Sequence, residues 1–217
     1  MKKNGRILFL QGLLAILGFV LWTLLVKSVD VQAIGPEGSE VGFAAFNGYI
    51  RSLIGTNMTL YTITDWMGLV PIGVAFGFAI LGFVQLLKRK SIFKVDRSII
   101  ALGAFYIVVV AVYALFEIVA INFRPVLIDG VLEASYPSST TMLTLCVMPT
   151  AAMQLKSRIE NRPLRLLVTV AIYLFTAFTI VGRVVSGVHW ASDIIGGALF
   201  SMGAVKIYGF FFSLTEN

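Results

Sequence analysis

Apolar residues along this chain gather into six long runs that are separated by short polar connections. A helix rises about 1.5 Å per residue, so about 20 mostly apolar residues are needed to cross the hydrocarbon layer of a membrane. The runs come close to that length, and the pattern therefore predicts an all-α fold, a six-transmembrane helical bundle. The predicted spans are residues 7–26, 66–87, 98–120, 141–155, 164–181 and 194–212.

The connections between these runs alternate in charge. Those before the first span and after the second and fourth spans carry most of the basic residues, namely Lys2, Lys3, Arg6, Lys88, Arg89, Lys90, Lys94, Arg97, Lys156, Arg158, Arg162 and Arg165. The connections on the other side carry Lys27, Arg51, Arg124 and Arg183. Because cytoplasmic loops are enriched in Lys and Arg, both termini are predicted to be cytoplasmic in a multi-pass protein of the cell membrane. An alternative start is a secretory signal cleaved near residues 31–33, which would leave the sides of the later loops unchanged.

Composition supports a membrane protein and removes several other classes. Of the 217 residues, 58% are hydrophobic and 13% are charged, whereas a soluble domain has about 25% charged residues. The net charge of +6 lies in short loops rather than in a basic stripe with aromatic residues, so the predicted partner is the bilayer and not nucleic acid. An intrachain disulfide and a zinc site of Cys and His ligands are excluded, because the chain has one Cys and one His.

The segment 40–55 follows the first span on the outer side. Its aromatic and aliphatic residues recur at roughly helical spacing. That spacing is typical of an interfacial helix on the outer leaflet, and equally of a helix packed over the bundle. The predicted organisation is one membrane domain, in which residues 1–60 hold the first span and this segment, and residues 61–217 hold the core.

Polar and ionisable residues gather at the outer ends of the predicted spans, where they are costly and are therefore functional candidates. The first group contains Arg124, whose alternative interpretation is an arginine that reaches toward the lipid headgroups. The second group, residues 136–141, opens the fourth span with Pro followed by four hydroxyl residues. Free backbone N–H groups at such a helix start form an anion site, whereas simple N-capping needs only one hydroxyl.

A third group ends in His189 and Asp193, which are four residues apart. On a helix these residues share a face, so the carboxylate and the imidazole are predicted to form a hydrogen bond. Such a bond fixes the tautomer of the histidine and leaves the other ring nitrogen free as a nucleophile. A lone histidine at a membrane interface is often only structural, but its spacing from Arg183 and Asp193 favours a catalytic role.

Three stretches resemble the signatures of the type 2 phosphatidic acid phosphatase (PAP2) superfamily, which includes vanadium haloperoxidases, and the layout resembles its bacterial membrane lipid phosphatases. Residues 183–193 fit the third signature, which is Arg, five residues, His, three residues and Asp. Residues 137–138 match the start of the second signature, Pro-Ser-Gly-His. Residues 124–125 match the end of the first, which is Lys, six residues and Arg-Pro. The departures are Glu117 for Lys, Ser139 for Gly and Thr140 for His.

The resemblance implies a PAP2-like core at residues 61–217 and an enzyme, a lipid phosphatase that hydrolyses a phosphorylated lipid at the extracytoplasmic face. His189 would be the nucleophile that forms a phosphohistidine, and Asp193 would orient it. The phosphoryl group would be held by Arg124, Ser138, Ser139, Thr140 and Arg183. Neither a metal nor a cofactor is implied, because the arginines and the helix start neutralise the developing charge.

Thr140 bears on the substrate, because a threonine cannot give the leaving group the proton that the family's second histidine supplies. An alkoxide leaving group needs that proton, whereas a phosphate leaving group, whose last pKa is about 6, does not. The favoured substrates are therefore lipid pyrophosphates such as undecaprenyl pyrophosphate, followed by phosphatidylglycerophosphate and phosphatidate. Transfer of the phosphate to another lipid is a variant of the same chemistry.

Other classes of function stay open beside this one. Glu117 and Thr140 favour a catalytically inactive relative that binds phosphorylated lipid or scaffolds partners, with Thr140 either natural or engineered. The retained His189 and Asp193 favour an active enzyme. A transporter or channel would place ionisable residues deep within the spans, whereas most of them here lie at helix ends.

Overall fold

The structure, a computed structural model, describes residues 2–215, with side chains from residue 5 onward. This part of the chain forms α1 (Lys2–Ser28), α2 (Ala44–Ile54), α3 (Met58–Met67), α4 (Leu69–Arg89), α5 (Arg97–Ile118), α6 (Ser139–Arg158), α7 (Arg162–Val185) and α8 (Ala191–Thr215). Isolated single-residue bridges occur in the loops, and residues 2–215 contain no longer strand. The predicted all-α fold is confirmed. The side chains of Lys2 and Lys3, used in the topology prediction, lie outside the described residues.

Within residues 2–215, five stretches are long and apolar enough to cross a membrane. They are Gly5–Ser28, Met58–Arg89, Arg97–Ile118, Arg162–Val185 and Ala191–Thr215. Each of them overlaps one of the predicted spans, and together they identify a membrane protein.

The remaining predicted span, residues 141–155, lies within helix α6. This helix is central in the bundle, and more than half of its side chains are buried, including those of Thr141, Thr144 and Gln154. A helix that is surrounded by other helices contacts protein rather than lipid, so it keeps polar residues without exposing them to hydrocarbon. Six spans stay a prediction, because α6 falls short of the others in hydropathy.

Helix α3 precedes α4 and extends the second span at its N-terminal end. It was not predicted, because its ten residues include three threonines and an aspartate that interrupt the apolar pattern. Asn57 caps its start by accepting the N–H of Leu60 at 2.9 Å. Gly68, itself in helical conformation, joins α3 to α4. The division drawn from the sequence at residue 60 therefore falls inside a helix.

Helix α1 packs along α8 and belongs to the same bundle as the rest of the chain. A Cβ on Gly12 would lie 3.0 Å from the carbonyl oxygen of Gly203, so the two backbones approach as closely as small residues allow. Farther along α8, a Cβ on Gly196 would lie 2.6 Å from the ring of Tyr136. That contact holds the segment leading into α6 against the start of α8.

Helix α2 occupies most of the outer segment 40–55. Asn47 is buried and donates from Nδ2 to Ser192 Oγ at 2.9 Å, at the start of α8. Phe46, Tyr49 and Leu53 are exposed. The helix is therefore packed over the bundle through its polar face, and it also presents an apolar face, as an interfacial helix does.

The connection between α5 and α6 folds back on itself as a short hairpin. Asp129 and Gly130 form its turn with φ values of 50° and 78°, as Asp-Gly does in a two-residue hairpin turn. Above the turn, the N–H of Ser135 donates to the carbonyl oxygen of Asn122 at 2.9 Å. Beyond its turn, the hairpin carries the polar side chains of Asn122, Arg124, Glu133 and Ser135 at the end of the bundle that also holds His189.

Candidate active site

His189 lies in the short loop between α7 and α8. Gly187 of this loop has a φ of 62°, and a Cβ on it would lie 1.9 Å from the carbonyl oxygen of Gly55. Only glycine therefore lets the loop rest against the end of α2. Arg51 of α2 donates from Nη1 to Gly187 O at 2.9 Å, and its guanidinium lies 5.7 Å from the ring of Trp190. Helix α2 thus holds the histidine loop in place.

The prediction that His189 and Asp193 share a helix face is wrong. Helix α8 begins at Ala191, after the histidine. Asp193 Oδ2 accepts the backbone N–H of Trp190 at 3.2 Å, which caps the new helix in the manner of a capping box. The histidine lies outside the helix that carries the aspartate, and the two side chains are connected through a third residue.

Ser135 of the hairpin makes this connection. Its Oγ lies 3.0 Å from His189 Nδ1 and donates to Asp193 Oδ2 at 2.5 Å. The Asp193 carboxylate is fully buried and also accepts from Asn122 Nδ2 at 2.9 Å and from Ser192 Oγ at 3.2 Å. Several donors around one carboxylate favour its ionised form and offset the cost of burying it.

Two buried arginines approach the histidine from the other side. Arg183 is fully buried and donates from Nη2 to His189 Nε2 at 3.0 Å. Arg124, which the hairpin carries, is 8% exposed. In the described part of the chain, Arg183 Nε, Arg124 Nε and Arg124 Nη1 are buried without a hydrogen-bond partner. Unpartnered guanidinium donors are costly to bury, and they mark a place for an anion.

An aromatic ring and two carboxylates complete the surroundings of the arginines. The Tyr61 ring lies 5.6 Å from the guanidinium of Arg124 and 5.0 Å from that of Arg183. Arg183 Nη1 donates to Asp65 Oδ1 at 3.5 Å. Glu133 Oε2 lies 3.0 Å from Arg124 Nε as an ion pair that is outside hydrogen-bond geometry. The Asp65 and Glu133 side chains are 52% and 41% exposed. Solvent weakens such pairs, so an incoming anion can replace them.

Four residues of this site were not predicted from the sequence: Tyr61, Asp65, Glu133 and Ser135. The Asp129-Gly130 pair between aliphatic residues is a strong hairpin signal. A regular hairpin with this turn would have placed Ser135 opposite Arg124, two residues away from its observed partner Asn122. The N-cap residue Asn57 was a weaker signal for α3. No local pattern shows that α3 lies against the arginines, because that contact depends on packing.

The electrostatic surroundings keep His189 neutral. Burial, followed by the charges of Arg124 and Arg183, lowers the pKa of His189 well below its usual value of 6.5. Since an arginine only donates, Nε2 accepts from Arg183 and carries the lone pair, and the ring proton is on Nδ1 facing Ser135. The nitrogen with the lone pair therefore faces the guanidinium of Arg183, whose Nε is buried without a partner.

The predicted phosphate-binding residues Ser138 and Ser139 lie at the start of α6. Ser138 is fully buried, and its Oγ accepts a hydrogen bond from Thr141 at 3.0 Å. Ser139 lines a cavity that reaches His189. The start of α6 is therefore close to the histidine, and the contacts of both serines with phosphate stay predictions.

The departures from the family pattern at Glu117 and Thr140 lie in different surroundings. Glu117 lines the same cavity as His189. Thr140 is 7% exposed and lies against Gly68, where a Cβ would be 3.3 Å from Thr140 Cγ2. Thr140 offers no group that donates a proton to a leaving group at neutral pH.

These features define a helical membrane protein with a buried, neutral histidine beside two arginines suited to an anion. Residues 121–213, which include Arg124, Arg183, His189 and Asp193, match the model of the PAP2 superfamily. The chain is similar to the crystal structure of a transmembrane PAP2 type phosphatidylglycerolphosphate phosphatase from Bacillus subtilis. The two are 17% identical, over 92% of this chain and 94% of that chain, with a TM-score of 0.57, which shows a shared fold. Residues 121–213, which carry most of the candidate site, therefore match the PAP2 superfamily, and the whole chain shares the fold of that crystal structure. No curated protein matches it significantly.

Proposed function

We propose that the protein is a membrane lipid phosphatase whose nucleophile is His189. One observation carries the proposal: the lone pair of a buried, neutral His189 lies beside the buried guanidiniums of Arg124 and Arg183, which have unpartnered donors. A phosphoryl group suits this arrangement, because guanidinium donors match its oxygens in bidentate pairs. The match of residues 121–213 to the PAP2 superfamily and the likeness in fold to a membrane phosphatase support the same function.

In the first half of the proposed reaction, His189 Nε2 attacks phosphorus. Arg183, which is 3.0 Å from Nε2 in the free protein, turns its donors to the phosphoryl oxygens, and Arg124 holds them from the hairpin. The N–P bond forms while the P–O bond to the leaving group breaks, and the leaving oxygen keeps the bonding electrons. The proton on Nδ1 stays directed at Ser135.

In the second half, water attacks the phosphohistidine. The O–P bond forms, the N–P bond breaks, and its electron pair returns to Nε2 of His189. The water releases a proton to solvent, and inorganic phosphate leaves. The arginines stabilise the charge on the phosphoryl group in both halves, because they are already in place and need no reorganisation.

The proposed substrate is a lipid pyrophosphate, of the kind represented by undecaprenyl pyrophosphate. Thr140 supplies no proton, and loss of a general acid typically costs about 10²–10⁴-fold. A phosphate leaving group, whose last pKa is about 6, avoids most of that cost. Phosphatidylglycerophosphate and phosphatidate, whose leaving groups are alkoxides, come next.

The proposed site faces the extracytoplasmic side of the membrane. It lies at the end of the bundle opposite Asp96, which pairs with Arg89 at 2.9 Å and with Arg158 at 3.7 Å. That opposite end carries the basic connections predicted to be cytoplasmic.

Phosphate release by the purified protein in detergent, with a chelator present, tests the proposal. The substrates are a polyprenyl pyrophosphate, a matched polyprenyl monophosphate, phosphatidylglycerophosphate and phosphatidic acid, and the control is His189→Ala. We expect release that needs no added metal, that is fastest with the pyrophosphate and that is lost in the control. Faster turnover of the monophosphate than of the pyrophosphate would contradict the leaving-group argument. Absence of release above the control would contradict the phosphatase itself.

A second candidate is a catalytically inactive protein that binds phosphorylated lipid. It is favoured by Thr140, which lacks a transferable proton, and by Asp65 and Glu133, the carboxylates that already approach the arginines. Such a protein would bind the lipids without releasing phosphate. Its binding would weaken in Arg183→Gln, whereas His189→Ala would leave it nearly unchanged.

A further inference from the structure

We propose that Ser135 is a positioning residue that connects the carboxylate of Asp193 to the nucleophilic histidine. The inference rests on the proposed function of His189. Ser135 is 2% exposed, and its single hydroxyl is within hydrogen-bond distance of both partners, 3.0 Å from His189 Nδ1 and 2.5 Å from Asp193 Oδ2. It belongs to none of the three signature stretches, and only the fold brings it to the site.

The direction of each hydrogen bond in this connection follows from the groups involved. Arg183 only donates, so His189 Nε2 accepts, and the one proton of the neutral ring must be on Nδ1. Nδ1 therefore donates to Ser135 Oγ, and the hydroxyl proton of Ser135 is free to be donated to Asp193, which only accepts. A hydroxyl is suited to this place because it donates one bond and accepts another.

The hairpin explains why a serine from a distant part of the chain fills the gap. Asp193 is committed to capping α8 through the N–H of Trp190, so its carboxylate stays with the helix and not with the loop. The two sides of the hairpin bind the two carboxylate oxygens of Asp193: Asn122 donates to Oδ1, and Ser135 donates to Oδ2. The backbone bond between Ser135 N and Asn122 O, at 2.9 Å, keeps these two sides in register.

This connection keeps the lone pair of the ring on Nε2, which can attack phosphorus once Arg183 turns its donors to the phosphoryl oxygens. It also stabilises the positive charge that develops on the ring in the phosphohistidine, because Asp193 acts on that charge through the hydroxyl. Removing the hydroxyl would leave Nδ1–H buried without its acceptor, which disfavours the reactive orientation of the ring. Residues that orient metal-bound histidines through the second ring nitrogen typically contribute about 10–100-fold to activity, and we expect an effect of similar size here.

The first test uses the fact that His189 is the one histidine of the chain. In protein labelled with ¹⁵N-histidine, every imidazole signal comes from this residue. We expect Nδ1 to carry the proton at pH 7 and its proton resonance to lie downfield, as in a hydrogen bond. Ser135→Ala should move that resonance upfield, and Ser135→Thr, which keeps a hydroxyl, should leave it near its original position.

The matched control is Ser201→Ala. Ser201 is a similarly buried serine, 1% exposed, and it lies about 12 Å along α8 from Asp193 at 1.5 Å per residue. Its replacement should leave the imidazole signals unchanged. A wild-type spectrum with the proton on Nε2 would overturn the proposal on its own, even if Ser135→Ala did not fold.

The second test is kinetic. We expect Ser135→Ala to lower kcat by about 10–100-fold with little change in KM, since the arginines still hold the phosphoryl group. In a protein that already carries Asp193→Asn, the same replacement should cost less than it does alone, because both residues act through one connection. Ser135→Thr should recover part of the activity.

The outcomes separate this inference from the function on which it rests. If the wild-type protein releases no phosphate, the phosphatase fails, and the spectra still decide whether Ser135 holds the ring. If it releases phosphate and Ser135→Ala changes neither kcat nor the Nδ1 resonance, the positioning role fails and the phosphatase stands.

Discussion

At the residue scale, the proposed function makes Thr140 the position that determines which leaving groups the site can release. It lies at the start of α6, 7% exposed, where the family has a histidine. We predict that Thr140→His raises kcat on a lipid monophosphate by about 100-fold, because the new imidazole can protonate the alkoxide. The gain on a matched pyrophosphate should be less than about tenfold, since that leaving group needs little protonation. Steady-state kinetics on the two substrates measure the difference.

A bulky control separates proton donation from a change in shape at this position. Thr140→Leu fills a comparable space beside Gly68 and carries no proton, so it should give no gain on either substrate. Equal gains of Thr140→His on both substrates would speak against a missing general acid.

The neutral state of His189 leads to a prediction about how kcat/KM depends on pH. Burial, and then Arg124 and Arg183, lower the pKa of His189 well below 6.5. The reactive form is the neutral ring, so a lowered pKa extends that form to more acidic pH, and the acidic limb of kcat/KM should lie below pH 6.5. Arg124→Gln removes a nearby positive charge and should move the titration of His189 toward higher pH. It should not restore the usual value fully, because burial is the larger cause.

The ¹⁵N titration of the one histidine in the free protein measures this effect without any substrate. A midpoint at or above pH 6.5 in the wild-type protein would show that the ring is better solvated than its burial indicates. The activity profile then serves as an independent check, since kcat/KM reports ionisation in the free enzyme.

At the scale of elements, the long apolar helices could be predicted from the sequence, whereas the short helix α3 and the start of α8 could not. The spans predicted from apolar runs correspond to helices of the structure, although residues 66–87 cross the junction of α3 and α4 at Gly68 and residues 98–120 run past the end of α5 at Ile118. They correspond because the composition of about 20 residues determines a membrane helix. Helix α3 was not predicted, because its residues are mixed in polarity and show no apolar run. The start of α8 at Ala191, after the histidine, was not predicted either. It depends on Asp193 accepting the N–H of Trp190, which the spacing of His189 and Asp193 does not reveal.

The contact between α2 and the histidine loop supports a prediction about Gly187. Its φ of 62° and the 1.9 Å approach of Gly55 O to a Cβ placed on it leave no room for a side chain. We predict that Gly187→Ala displaces the loop that carries His189 and lowers kcat by more than about tenfold. The protein should stay folded, because the change is confined to an outer loop.

Gly73→Ala is the matched control for this replacement. A Cβ on Gly73 of α4 would meet nothing within 4 Å, and alanine is the better helix former. This variant should keep its activity. If Gly187→Ala were equally active, α2 would not be fixing the histidine loop.

At the scale of the whole molecule, the site is assembled from parts that are far apart in the chain. Tyr61 comes from α3, Arg124 and Ser135 from the hairpin, Arg183 from α7, and His189 from the following loop. The signature residues were predictable because their spacing is preserved within short stretches. Tyr61 and Ser135 were not, because they reach the arginines and the histidine only through the packing of α3 and the folding of the hairpin. A site of this kind is visible in sequence only where its residues are close neighbours along the chain.

The last prediction concerns the side of the membrane that this assembled site faces. The wild-type Cys146 is fully buried and unpaired, so it should not react with a maleimide. Val131 is exposed in the hairpin near the site, and Glu160 is exposed between α6 and α7 at the other end. We predict that a membrane-impermeant maleimide labels Val131→Cys in intact cells, and labels Glu160→Cys only after the membrane is opened. The reverse pattern would put His189 at the cytoplasmic surface, and its substrates would then have to be lipids of the inner leaflet.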